Sequence, residues 1–277
     1  MLLCVVVGRR DVCGVTLLHN VVYIVCAGSS SIIRFDAVTH GRLADITVRG
    51  MSEPWDIAAC QQTAQLYVAD CPYTGPDCVW RVSSDGEDVK RLLPKSPSDT
   101  IRPRTLSVTS SRLLVTSIGS QLIQFDAVGD ELRQVDLPRD MTPHHAVESP
   151  TGTFIVSHRD TRLDQYQYRR VTRLKYQVSE VNTGGQVLRQ FSGSRLLPLG
   201  DTRHVAVDSQ GNIFVADHDA GHILMLNSEL ALRRVIIDEH QLNYERPKRL
   251  CYNEQSGQLL VGFVYSRDVA VFDVLRR

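Results

Sequence analysis

The sequence predicts an all-β fold: a six-bladed β-propeller of four-stranded antiparallel blades, its ring closed by the N-terminal strand. Three observations predict it. First, one short hydrophobic strand recurs at Tyr23-Ile24-Val25, Tyr67-Val68-Ala69, Leu114-Val115-Thr116, Ile155-Val156-Ser157, Phe214-Val215-Ala216 and Leu260-Val261-Gly262, in steps of 44, 47, 41, 59 and 46 residues. Self-similarity at this period marks blades. Second, the segments between copies read as short strands separated by turn residues, an all-β signature. Third, the last repeat is one strand short, while the N-terminus carries a strand with no blade of its own.

The elements follow in order. Met1 to Val7 is an apolar stretch of strand length. In the first repeat, Ile32-Ile33-Arg34-Phe35-Asp36 is a third strand. In the second, Val79-Trp80-Arg81-Val82 takes that place and Asp85-Gly86 turns the chain. The third has Leu122-Ile123-Gln124-Phe125-Asp126 and a turn at Gly129-Asp130. The fourth has Tyr176-Gln177-Val178-Ser179-Glu180-Val181 and a turn at Gly184-Gly185. Glycine and Asn or Asp suit such turns because they tolerate positive φ. The fifth repeat is the clearest: His204-Val205-Ala206-Val207-Asp208, a Gly211-Asn212 turn, Ile213-Phe214-Val215-Ala216-Asp217, Ile223-Leu224-Met225-Leu226-Asn227 and Leu232-Arg233-Arg234-Val235-Ile236. The sixth ends after Val269-Ala270-Val271-Phe272-Asp273. Residues 1–8 are therefore expected to supply its outer strand, which removes a sheet edge prone to aggregation. The whole chain, 1–277, reads as one domain with blades at about 11–50, 51–100, 101–140, 141–200, 201–245 and 246–277 plus 1–8.

Bulk properties narrow the function. Lys plus Arg and Asp plus Glu number 31 each, so no global field favours nucleic acid or membrane. The first apolar run is too short for a secretory signal, and no run approaches the ~20 residues of a membrane-spanning helix. A monomeric cytoplasmic protein without a membrane partner is expected. The seven cysteines match no zinc spacing. Cys71 and Cys78 flank one loop and are expected to stay reduced.

Pro54-Trp55-Asp56-Ile57-Ala58 with Leu66-Tyr67-Val68-Ala69-Asp70, and the fifth repeat from Val205 to Asp217, resemble the NHL repeat. The resemblance spans essentially the whole chain. It implies the propeller domain of tripartite-motif NHL proteins, which binds protein or RNA. No RING, B-box or coiled-coil pattern accompanies it, so ligase activity does not carry over. Six-bladed rings also host metal-dependent lactonases and a zinc lyase. Of the lyase pattern only Pro143-His144 has a counterpart; Trp55, Arg104, Arg203 and Lys248 stand at the equivalent places. The carboxylates Glu53, Asp56 and Glu148 do not match across blades. No cofactor, metal or catalytic residue is expected, and a non-enzymatic role is favoured.

A ligand is expected at the end of the ring where first strands begin and where second strands turn into third. Arg102, Arg104, His144, His145, Arg203, His204, Lys248 and Arg249 cluster at first-strand starts, with Trp55 as an aromatic exception. Tyr73 lies on a neighbouring loop. The 59-residue step holds a long loop at the same end, carrying Arg159, Arg162, Tyr166, Tyr168, Arg169, Arg170 and Arg173. Cations bind acidic peptides in bidentate fashion, and cations interleaved with aromatics also suit single-stranded RNA. An acidic protein or peptide partner is the first expectation; single-stranded RNA and a metal-dependent hydrolase or lyase are the alternatives.

Overall fold

The computed structural model describes residues 3–6, 11–96, 101–161, 175–194, 197–263 and 265–274, the first of these by backbone pairing. Among these residues, strands form six four-stranded antiparallel sheets and no helix. The first strands are β2 (Val12–Leu18), β6 (Pro54–Cys60), β10 (Pro103–Thr109), β14 (Met141–Glu148), β18 (Thr202–Val207) and β22 (Pro247–Asn253). They neighbour one another in that order, and β22 returns to β2, so they line the axis of a closed ring.

The recurring hydrophobic triplets occupy the second strands: β3 (Val21–Cys26), β7 (Gln65–Asp70), β11 (Arg112–Ser117), β15 (Phe154–Asp160), β19 (Ile213–Asp217) and β23 (Gln258–Phe263). These are buried nearly end to end. A blade is covered on both faces by its neighbours, so its second strand reads as a continuous apolar run rather than an alternation. Outermost strands such as β5 (Arg42–Thr47), β13 (Glu131–Asp136) and β17 (Val187–Phe191) are largely exposed and mix charged and polar residues with apolar ones. The core is accordingly divided. Six apolar clusters each join two successive blades, including the last with the first. Each fully buried Val, Leu or Ile in them contributes about 1.5–3 kcal/mol.

The ring closes as the strand count predicts. β1 (Leu3–Val6) pairs antiparallel with β24 (Asp268–Asp273), Leu3 opposite Val271 and Val5 opposite Val269. β1 is thus the outer strand of the sixth blade.

Two repeat aspartates hold the chain at the starts of β6 and β18. Asp70, at the end of β7, accepts hydrogen bonds from the Ser52 and Glu53 amides and from Trp80 Nε1. Asp217 does the same for the Gly200 and Ala220 amides. Cys71 and Cys78 are free thiols; Cys71 donates to the Pro103 carbonyl, and burial pushes both up to about 12.

Candidate functional site: the two-chambered channel

Every first strand breaks register at one residue. The irregularities fall between Val12 and Gly14, Pro54 and Asp56, Pro103 and Thr105, Pro143 and His145, Thr202 and His204, and Pro247 and Arg249. A β-bulge places one unpaired residue in the strand and re-aims its side chain. The six extra residues are Cys13, Trp55, Arg104, His144, Arg203 and Lys248. All six line one cavity of 610 Å³ at the upper end of the channel. Ala27, Tyr73 and Tyr265, from loops between second and third strands, line it too. The two kinds of loop therefore share one end, as strand alternation requires.

Around this ring the side chains segregate. Blades three to six contribute Arg104, His144, Arg203 and Lys248 in succession. Blades one and two contribute Cys13 and Trp55. Tyr73 and Tyr265 are almost fully exposed at the rim, and Trp55 is 45 % exposed.

The cations differ in how they are paired. Arg203 forms a short ion pair with Asp201, whose carboxyl burial pushes up. Arg102, outside the cavity lining, sits 3.6 Å from Asp77. Arg104 and Lys248 have no ion pair among the described residues. Burial lowers both pKa values, and like charges add to the effect: Arg203 and Arg249 on Arg104, Arg249 on Lys248. An anion entering this cavity relieves both costs.

His144 is held neutral. Its Nδ1–H donates to the Thr202 carbonyl at 2.8 Å, and its ring packs 5.8 Å from that of Tyr176. Burial, with Arg104 and Arg203 nearby, pushes its pKa down to about 4. Its Nε2 is left as an acceptor.

One residue below the bulges lies a buried layer: Gly14, Asp56, Thr105, His145, His204 and Arg249. Here the structure departs from the sequence expectation. His145, His204 and Arg249 were expected at the mouth; each follows its bulge into this layer, and of the three only Arg249 still lines the upper cavity. Arg249 Nε lies 3.2 Å from Asp56 Oδ1, and its Nη2 donates to the Trp55 carbonyl. Asp56 Oδ2 accepts from the Leu106 amide. The His145 and His204 rings stack with centroids 3.5 Å apart. Burial lowers both, His145 to about 3 and His204 well below the usual histidine value. At Gly14 the backbones of β2 and β6 come so close that a Cβ would lie 2.7 Å from the Ile57 nitrogen.

Asp56, His145 and His204 bring ligand atoms within 4.8 Å of one another, the kind of triad a channel metal uses. Their bonding does not fit one. His145 Nδ1 accepts from the Val205 amide while Nε2–H donates to the Leu106 carbonyl, so neither ring nitrogen is free. His204 Nδ1 accepts from the Leu250 amide, and Asp56 already serves Arg249 and Leu106.

Beneath the plug a second cavity of 580 Å³ opens to the other end. Its lining includes Thr16, Ser107, Thr109 and Tyr252, with Glu148 and Glu254 as its acids and, among the described residues, no Lys or Arg. Glu148 pairs with Arg112 at 2.7 Å, and Glu254 accepts from the Ser209 amide. The three carboxylates considered from sequence thus part company: Glu53 lines the upper cavity, Asp56 sits in the plug and Glu148 lines the lower cavity.

Of the remaining expected residues, Arg159 lies in β15 opposite Thr142, near the upper end. Arg162, Tyr166, Tyr168, Arg169, Arg170 and Arg173 fall outside the described residues. Sequence reasoning missed Cys13, Asp11 and Tyr265 at the mouth. The available signal for Cys13 was its position one residue before Gly14, in phase with Trp55 before Asp56.

Fold and channel define the chain as a six-bladed β-propeller. No protein-family model and no curated protein matches it. Solved structures are similar to it in fold: a gluconolactonase from Xanthomonas campestris, 12 % identical with TM-score 0.70, over 98 % of this chain and 88 % of that one; the hydrazine synthase of Kuenenia stuttgartiensis, 14 % identical with TM-score 0.68, over 97 % of each chain; and a nidogen/laminin complex, 14 % identical with TM-score 0.64, over 87 % and 84 %. At these identities the likeness establishes the fold alone, and the NHL repeat expected from the blade motifs is not confirmed.

Proposed function

We propose that this propeller is a non-catalytic binding module that engages an acidic stretch of a protein or peptide through its upper mouth. The observation that carries this reading is Arg104 and Lys248. Both are half-buried in a concave cavity, both have depressed pKa values, and neither has an acidic partner among the described residues. A carboxylate with a matched cation forms the stronger, charge-assisted class of hydrogen bond. The cavity volume falls within the ~300–1,000 Å³ of ordinary ligand sites.

The other expectations fare less well on physical grounds. A phosphate backbone needs a run of available cations, yet Arg203 is matched by Asp201, Arg249 by Asp56 and Arg102 by Asp77. A channel metal would have to displace the backbone hydrogen bonds that occupy both His145 nitrogens.

The test is the affinity of a dye-labelled hexaglutamate peptide for the wild type and for a triple variant, Arg104→Glu, Arg203→Glu and Lys248→Glu. The expected loss is at least tenfold, about 1.4 kcal/mol. Unchanged affinity, with the variant folded, overturns the reading. A hexauridylate control separates RNA, whose affinity falls by ~0.7 log units per log unit of salt for each phosphate contacted.

A further inference from the structure

Three bulge residues on adjacent blades stand side by side in the upper cavity: Trp55 on β6, Arg104 on β10 and His144 on β14. Their chemistries are complementary parts of one recognition pattern. We propose that this triplet is a receptor for a chain terminus: a free carboxylate taken by Arg104, the amide N–H of the same residue taken by His144 Nε2, and the apolar side chain packed on Trp55. This rests on the reading of the upper mouth as an acidic-partner site and narrows it from acidic segments in general to the C-terminal residue of a peptide.

Each part follows from an observation. Arg104 makes one hydrogen bond among the described residues, Nη1 to the Pro143 carbonyl at 3.5 Å, so most of its fork remains for a ligand. A guanidinium matches a carboxylate in bidentate fashion. His144 is fixed as the Nδ1–H tautomer by the Thr202 carbonyl, which makes Nε2 an acceptor with no donor among the described residues. A neutral acceptor beside a guanidinium has no use for an isolated carboxylate. It suits a ligand that offers an N–H next to its negative charge, as a terminal residue does. Trp55 presents an exposed indole that is fixed at its backbone, because its carbonyl accepts from buried Arg249. Lys248, on the blade opposite Arg104, adds positive field without occupying the triplet.

Shape points the same way. The cations that matter are recessed at the level of the bulges, beneath rim loops that carry Tyr73 and Tyr265. A flat acidic protein surface cannot descend to them. A single extended chain end can, and the plug of Asp56, Arg249, His145 and His204 stops it there.

The test uses the whole protein and fluorescence anisotropy. Four probes are compared: a dye-labelled glycine–serine pentapeptide ending in phenylalanine with a free carboxylate, the same peptide as its C-terminal amide, hexaglutamate amide, and 3-phenylpropanoate as an unlabelled competitor. The free-acid peptide is expected to bind at least tenfold more tightly than the amide, in keeping with the weight of a hydrogen bond to a charged group. 3-Phenylpropanoate, which has the ring and carboxylate but no amide N–H, is expected to compete at least tenfold more weakly than the unlabelled peptide. Arg104→Lys keeps the charge and loses the fork, so it is expected to erase most of the acid-over-amide preference. His144→Phe is expected to erase the preference for peptide over 3-phenylpropanoate. Thermal melts of both variants show whether they are folded.

Equal binding of acid and amide overturns the terminus receptor; if hexaglutamate amide still binds, the broader acidic-partner reading survives it. Failure of every probe overturns both. Competition by 3-phenylpropanoate at the peptide's own strength reassigns the cavity to free organic acids and overturns the chain-terminus assignment.

Discussion

The upper and lower chambers of the channel are built from the same six strands and are nearly equal in size, 610 and 580 Å³. Their charge differs. The upper one is lined by Arg104, Arg203, Lys248 and Arg249 and by three exposed aromatics, against the acids Asp11 and Glu53; the lower one has no Lys or Arg among the described residues, and its acids are already bonded. The difference arises at the bulge. Below it, each residue of a first strand obeys the alternation of the sheet and must pack. At it, one residue per blade stands outside the register, so its identity is not set by pairing. The scaffold thus concentrates its chemical freedom in six positions at one end.

This contrast can be broken from the plug outward. Asp56→Ala has the largest expected effect, because it leaves Arg249 buried and uncompensated. The expected cost is about 3–5 kcal/mol in denaturant unfolding, with most of it recovered by the second change Arg249→Met. A lone Asp56→Ala that unfolds like the wild type removes the plug as the divider of the two chambers.

Acid comes next. His145 has a folded-state pKa of about 3 against an unfolded value of 6.5, so the unfolded chain binds more protons between these limits. Stability is therefore complete above pH 6.5 and is lost as pH falls toward 3. His145 alone accounts for about 2 kcal/mol between pH 6.5 and 5, at 1.36 kcal/mol per unit. His144 and His204 shift in the same direction and steepen the loss. His145→Gln is expected to flatten the pH profile, and an unaltered slope contradicts the neutral stack.

Gly14→Ala is expected to cost about 1–3 kcal/mol by overpacking where β2 meets β6. A stability equal to wild type in a thermal melt would show that the two backbones can separate there. The smallest effects belong to the mouth itself. Trp55→Ala and Lys248→Gln are expected to change stability by no more than about 0.5 kcal/mol, while weakening an acidic peptide about tenfold. Gln255→Lys at the lower chamber is the control: it is expected to leave that peptide's affinity unchanged, and tighter binding there would erase the distinction between the ends.

Much of the architecture was legible from residues. The six triplets mark second strands because those strands are covered on both faces, which forces an apolar run that a reader can see. The missing last strand and the orphan first one are likewise a matter of counting. The mouth was legible in part. Trp55, Arg104, His144, Arg203 and Lys248 stand in register with one another, and a bulge adds a residue at the same point in each blade, so the ring of positions survives in the sequence. What the sequence hid was pairing. Asp201 quenches Arg203, Asp77 meets Arg102, and Asp56 on blade two holds Arg249 on blade six. Charge balance at the mouth depends on neighbours set by blade packing, not by chain order. The inward turn of His145 and His204 was hidden for a related reason: a single bulged residue sends adjacent side chains to different levels.

The pairing of Leu3 with Val271 places the first and last described strands in one sheet. During synthesis β1 leaves the ribosome while its partner has yet to be made, so five blades can assemble before the ring can shut. The entropy of joining such distant segments rises only slowly with their separation, about 0.6 kcal/mol per doubling, and the penalty falls instead on the time needed to find the partner. Until then the assembly carries an open edge of the kind that recruits other chains. The same arrangement makes blade six a latch: tension between β1 and β24 is borne by one sheet, and peeling β1 away opens the circle at a single seam.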